Sequence, residues 1–155
     1  MIRLNVPSLP FLAALLGLLF PGQAVRNGQL RQVPELVFSS EFAGVDKGGN
    51  CLWEGRVEGD VQGRVTIALR QVESPFEASN PVWHVRSRWK VEAASRGRSF
   101  KADLEGMVDW KTGASQLSGT ITTGWMKGAW VQEESRFVDG EPKGVLRIIP
   151  SLAAR

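Results

Sequence analysis

The chain is short of the residues that most often carry chemistry. It has one cysteine, Cys51, one histidine, His84, and no tyrosine. A single thiol forms no internal disulfide, so apolar burial and strand pairing must supply the stability. Cys51 reads as a half-buried structural thiol, with a bond between two chains as the alternative. One His and one Cys cannot complete a zinc site, and no Ser-His-Asp arrangement follows a known hydrolase order. No metal and no cofactor are expected on these grounds. Charge of neither sign is blocked: the net +3 is spread along the chain. Nucleic-acid binding would need a clustered basic stripe, so that partner is not expected. A 3.6-residue period is missing from every ten-residue segment after residue 24, which argues against helices.

Long apolar runs are confined to one place. Phe11 to Phe20 is a ten-residue apolar block, preceded by Arg3 and followed by Pro21-Gly22-Gln23-Ala24. Basic start, short apolar centre and small residues before Ala24 form a secretory signal peptide. Ten residues are too few to span hydrocarbon, so no stable membrane span is expected after cleavage. No cysteine follows the block to carry a lipid. The reading is a signal peptide over 1–24, a polar leader over 25–35, a barrel domain over 36–150 and a tail over 151–155. The expected address is secreted or periplasmic. The mature chain keeps 131 residues at net charge +2, enough for one sizeable core.

What is present is alternation. Strands are predicted near 36–42, 52–59, 63–72, 82–93, 99–109, 114–122, 126–138 and 144–150. The clearest sets Trp83, Val85, Ser87, Trp89 and Val91 against His84, Arg86, Arg88, Lys90 and Glu92. A period of two sends the first set inward and the second to water. Leu36, Phe38, Ser40 and Phe42 share one inward parity in the same way. Turns are expected at Asp46 to Asn50, Ser74 to Pro81, Ser95 to Arg98, Asp109 to Gly113, Thr123-Gly124 and Asp139 to Pro142. The Asp46 cluster lacks the ligands of a calcium loop. Gly55, Gly59 and Gly63 do not fit a phosphate loop and mark barrel corners instead. Eight strands joined by short turns predict an all-β, antiparallel, up-and-down barrel of calycin-like form, with a two-sheet sandwich as the alternative.

Few residues are candidates for a site. In 126–138, Ala129, Val131 and Phe137 inward would bring Glu133 and Ser135 inward, and the opposite parity would bring Glu134 with Trp130, Gln132 and Arg136. Either register buries one glutamate. Burial raises a carboxyl pKa, which is how an acid–base group is tuned. A structural Glu paired with an interior Ser or Arg is the competing reading. Asp103, Glu105 and Asp109 share the outer parity with Lys101 and are read as solvated. Gln116, Ser118 and Ser87 fall on or near the inner parity. Six tryptophans supply most of the large aromatic surface. Trp53, Trp83 and Trp89 lie on apolar faces and read mainly as core, while Trp110 and Trp125 lie beside turns, where they could line a barrel mouth. These five, with Ser87 and Ser135, are the candidate ligand-binding residues, and Glu133 and Glu134 the candidate catalytic ones.

Three stretches carry a resemblance: Gly106-Met107-Val108-Asp109-Trp110 with Gly113, Gly128-Ala129-Trp130-Val131-Gln132-Glu133-Glu134, and Gly144-Val145-Leu146-Arg147-Ile148-Ile149-Pro150. They resemble a group of uncharacterised exported bacterial proteins over roughly residues 50–150. In strand count the chain is also similar to the allene oxide cyclase and dirigent barrels, an architectural likeness that carries over no catalytic residue. The leading expectation is an exported soluble barrel that binds a small apolar ligand or a protein partner without catalysis. One alternative is a cavity isomerase or cyclase using an interior Glu. Another is an envelope protein acting through its outer face, as a monomer or a homodimer.

Overall fold

The computed structural model describes residues 33–73 and 81–151. The signal-peptide reading, most of the leader, and the loop centre at 74–80 lie outside the described residues.

Eight strands follow one another: β1 Glu35–Val45, β2 Cys51–Gly59, β3 Gly63–Gln71, β4 Val82–Ala93, β5 Phe100–Asp109, β6 Ala114–Gly124, β7 Trp130–Val138 and β8 Glu141–Ile149. Each pairs antiparallel with the next, and β1 pairs with β8 through Glu35↔Arg147 to Ser39↔Lys143. That last ladder closes the sheet and rules out the sandwich. Closure removes the free edges that a meander of this length would otherwise expose.

Alternation decides which side chains fill the interior. In β4, Val85, Ser87, Trp89 and Val91 are buried, while Arg86, Arg88 and Lys90 are exposed. Phe38 and Trp89 meet edge to face near the centre, with ring centroids 4.8 Å apart. Leu36, Val57, Val65, Leu104, Val131, Leu146 and Ile148 pack around them. The outer face is laced by ion pairs between adjacent strands, including Arg86–Glu105 at 2.7 Å and Arg88–Asp103 at 3.2 Å.

Glycine makes the tight curvature possible. A Cβ on Gly55 would run into the Ser39 carbonyl oxygen, and one on Gly119 into the Asp103 carbonyl oxygen. Strands bend sharply where no side chain separates the neighbouring backbones.

Three expectations need correction. Phe42 was expected inside but is 57% exposed. Phe42 is paired with the buried Trp53 and keeps its parity, but the β1–β8 ladder ends at Ser39↔Lys143, so Phe42 stands past its neighbour at the open end of the barrel. The β1–β2 register shifts only after it, between Phe42 and Gly44. The turn expected at Thr123-Gly124 lies at 125–128, and β7 starts at Trp130 rather than 126. Gly124 extends β6 because its backbone lies against Ser99, while Met126 and Gly128 take the positive φ values of 54° and 85°. In β6 the inward serine is Ser115, whereas Gln116 is exposed and Ser118 half-buried on the outer side.

An up-and-down barrel has two unlike ends. At one end lie the connections 60–62, 94–99 and 125–129. Val61 and Ala129 are buried there, Trp125 leans on Phe100, and the Arg98 guanidinium stacks 5.5 Å from the Trp125 ring. This end is plugged. The turns 46–50, 110–113 and 139–140 stand at the other end, together with the end of β3 and the start of β4.

Candidate functional site

The second end is rimmed by aromatic rings brought from five strands or turns. Trp83 meets Trp110 at 5.5 Å, Trp110 meets Phe137 at 4.9 Å, Phe137 meets Trp53 at 5.8 Å, and Trp53 meets Phe42 at 5.6 Å. Strand β2 places Trp53 two residues from its start, and β4 places Trp83 next to its start. Trp110 follows the end of β5 and β7 places Phe137 next to its end. Antiparallel order sends all these positions to the same end.

Within the rim is a cavity of about 400 Å³, lined by Gly49, Cys51, Trp53, Leu69, Gln71, Trp83 and Trp110. None of these is charged. The volume lies within the usual range for small-molecule pockets, roughly 300–1,000 Å³. The Trp53 indole N–H donates to the Gly140 carbonyl at 3.3 Å, which fixes one wall. Trp110 remains 37% exposed, so the opposite wall faces solvent. Cys51 is a free, half-buried thiol.

The sequence candidates therefore separate. Trp53, Trp83 and Trp110 converge on the mouth. Trp89 lies deeper in the core, its N–H donating to the Ser87 hydroxyl at 2.9 Å, so Ser87 and Trp89 hold each other. Trp125 belongs to the plugged end. Gln71 was not among the candidates. Its parity with Val65, Ile67 and Leu69 at the end of β3 was the available signal, since a polar residue that ends an apolar series stands where the interior meets the rim.

Glu133 is the buried glutamate, at 2% exposure, and Glu134 is exposed on the outer face, where Arg147 Nη1 donates to it at 3.1 Å. Val131 and Phe137 thus set the parity of β7. The Ser115 hydroxyl donates to Glu133 Oε2 at 3.1 Å. Burial pushes the Glu133 carboxyl above its ordinary value, and hydrogen bonding from the neighbouring serines offsets only part of this. The Ser135 hydroxyl lies close enough to pull against that rise, yet it makes no bond of good geometry. The free space beside Glu133 is about 10 Å³, bounded by Phe38, Trp53, Trp89, Leu117 and Phe137. That is room for about one water. A substrate does not fit there.

A larger depression of about 800 Å³ lies over the outer face of β3 to β7. Its charged residues are largely engaged with one another: Arg86 with Glu105 and Arg88 with Asp103. Glu105 also accepts from His84 at 2.7 Å, and Arg86 holds its carboxyl below the usual range. Asp109 caps its own turn, accepting from the Lys111 and Thr112 N–H groups. The outer carboxylates are thus structural partners, and the uncharged mouth is the better ligand site despite its smaller volume.

Among known proteins, no family model, curated protein or solved structure matches this chain.

Proposed function

We propose that the chain is an exported barrel that holds a small apolar ligand in its aromatic mouth and carries out no reaction on it. The observation that carries this reading is the uncharged 400 Å³ cavity walled by Trp53, Trp83 and Trp110. Export rests on the basic start, apolar block and small residues before Ala24. The relation to exported bacterial proteins, and in architecture to allene oxide cyclase and dirigent barrels, is part of the same proposal. The cyclase alternative is disfavoured, because the one buried acid among the described residues has space beside it for a water and no more.

A second reading has its own support. Trp130 and Ile149 are directly paired across β7 and β8, both on the outer face, at 43% and 36% exposure. A partner protein or a second copy would cover them.

Titration against a panel of small aromatic and lipid compounds, followed by tryptophan fluorescence, tests the mouth. Trp83→Ala and Trp110→Ala are each expected to weaken binding about tenfold or more, since buried aromatic anchors carry most of the energy of a site. Trp125→Ala, at the plugged end, is expected to leave affinity unchanged. Equal losses in all three variants would move the site away from the mouth, and saturable binding abolished by Trp130→Ala alone would favour the outer face.

A further inference from the structure

We propose that the outer face of the barrel carries a second binding site, a trough across β3 to β7 that holds a short neutral oligosaccharide against Trp130. The site shares no lining residue with the mouth and does not depend on it.

The trough follows from register. Trp130 lies directly opposite Thr120, Thr120 opposite Asp103, Asp103 opposite Arg88, and Arg88 opposite Ala68. These five form one row across the strands, and all of them line the depression of about 800 Å³. From Trp130 to Arg88 is three strand steps, about 14 Å at the usual spacing. Ser118 and Thr120 are short, so β6 lowers the floor between Trp130 and the Arg88–Asp103 pair.

The two sides of this row suit the two sides of a sugar. Trp130 is 43% exposed and meets no other aromatic ring among the described residues. An indole offers a broad, flat apolar surface. The C–H face of a pyranose packs on such a surface and leaves the hydroxyls at its edge. Arg88 and Asp103 are placed for those hydroxyls. They bond through Nε and Oδ1 at 3.2 Å, yet their side chains stay 74% and 53% exposed. A guanidinium has five N–H donors, and a carboxylate accepts at both oxygens. Donor and acceptor side by side match neighbouring hydroxyls, each of which donates and accepts.

Charge disfavours other occupants. Arg70, Arg86 and Arg88 are balanced by Asp46, Asp103 and Glu105, so the lining is neutral as a whole. A polyanion gains no net attraction there. A protein partner would strip water from the Arg86–Glu105 and Arg88–Asp103 pairs, which is costly. A saccharide gives each pair hydroxyls in place of that water.

Titration of the isotope-labelled mature chain with cellotetraose, maltotetraose and chitotetraose, followed by NMR, tests this. At least one of the three is expected to bind saturably and to shift the Trp130 indole N–H with the amides of Thr120, Asp103 and Arg88. Added salt should change the affinity little. Trp130→Ala should weaken binding about tenfold or more. Arg88→Ala should weaken it too, and Trp110→Ala, at the mouth, should leave it unchanged. No binding of any of the three, or shifts confined to the mouth, would overturn the proposal. Tighter binding of tetragalacturonate than of the neutral chains would overturn the neutral class. Dimerisation lost in Trp130→Ala, with no saccharide bound, would give the face to a second copy of the chain instead. The shift map of the unmodified protein stands even if a variant does not fold.

Discussion

Glu133→Gln is expected to stabilise the barrel at alkaline pH by about 1–3 kcal/mol, the range for a buried polar group that lacks full compensation. The carboxyl is enclosed by β6, β7 and the core, and its value in the folded chain is raised above the ordinary 4.5, chiefly by burial. The unfolded chain therefore gives up this proton at lower pH than the folded one. The stability contributed by the protonated group is fully present below the unfolded value and is lost as pH rises through the folded value. Glutamine stays neutral throughout, so the variant should gain on the wild type across that window and match it more closely at pH 4. The paired outer carboxylates Glu92 and Glu105 are shifted downward and work in the opposite sense. They are common to both chains and cancel in the difference. Urea unfolding from pH 4 to pH 9 measures it. Parallel stability curves for the two proteins would mean that Glu133 is solvated or fully compensated.

Trp89→Ala should cost about 3–5 kcal/mol, the usual range for removing a large aromatic from a core. Trp89 is 2% exposed, sits edge to face on Phe38, and donates to Ser87. Its loss empties the centre of the barrel and leaves the Ser87 hydroxyl without that donor. Against a total stability of roughly 5–15 kcal/mol for a domain, this is a large fraction, and the unfolding midpoint of the variant is expected to fall well below that of the unmodified chain. Trp89→Phe keeps most of the ring contact and should cost far less. Denaturant unfolding decides between them, and a loss below about 1 kcal/mol for the alanine variant would contradict a packed interior.

Much of this architecture is legible because the strands are half-buried ribbons. In β4 and β5 every inward position is apolar or small and most outward ones are charged, so period and boundary are visible together. The β7 parity was decided by Val131 and Phe137, which left Glu133 inside. Legibility fails where local backbone geometry intervenes. Phe42 keeps the parity that alternation gives it, but β8 pairs with β1 only as far as Ser39, and nothing in the sequence announces that β1 outruns its neighbour there. The β6–β7 turn is displaced because Gly124 still lies against Ser99 in the β5–β6 ladder and only opens the turn, its carbonyl accepting from the Lys127 N–H. The site was legible only in part. Trp110 beside its turn suggested a mouth, but the arc from Trp83 to Phe42 depends on which strand ends meet in the closed barrel. Gln71 acquires meaning only when its neighbours across that opening are known.

Ligand entry at the mouth can be followed with the six tryptophans as reporters. Each can be labelled with 5-fluorotryptophan and assigned by single Trp→Phe substitutions, and the fluorine spectrum followed while 2-acetylnaphthalene is added. The signals of Trp53, Trp83 and Trp110 should move together and saturate, while those of Trp89, Trp125 and Trp130 stay in place. Saturable shifts confined to Trp130, or to Trp89 and Trp125, would contradict entry at the mouth.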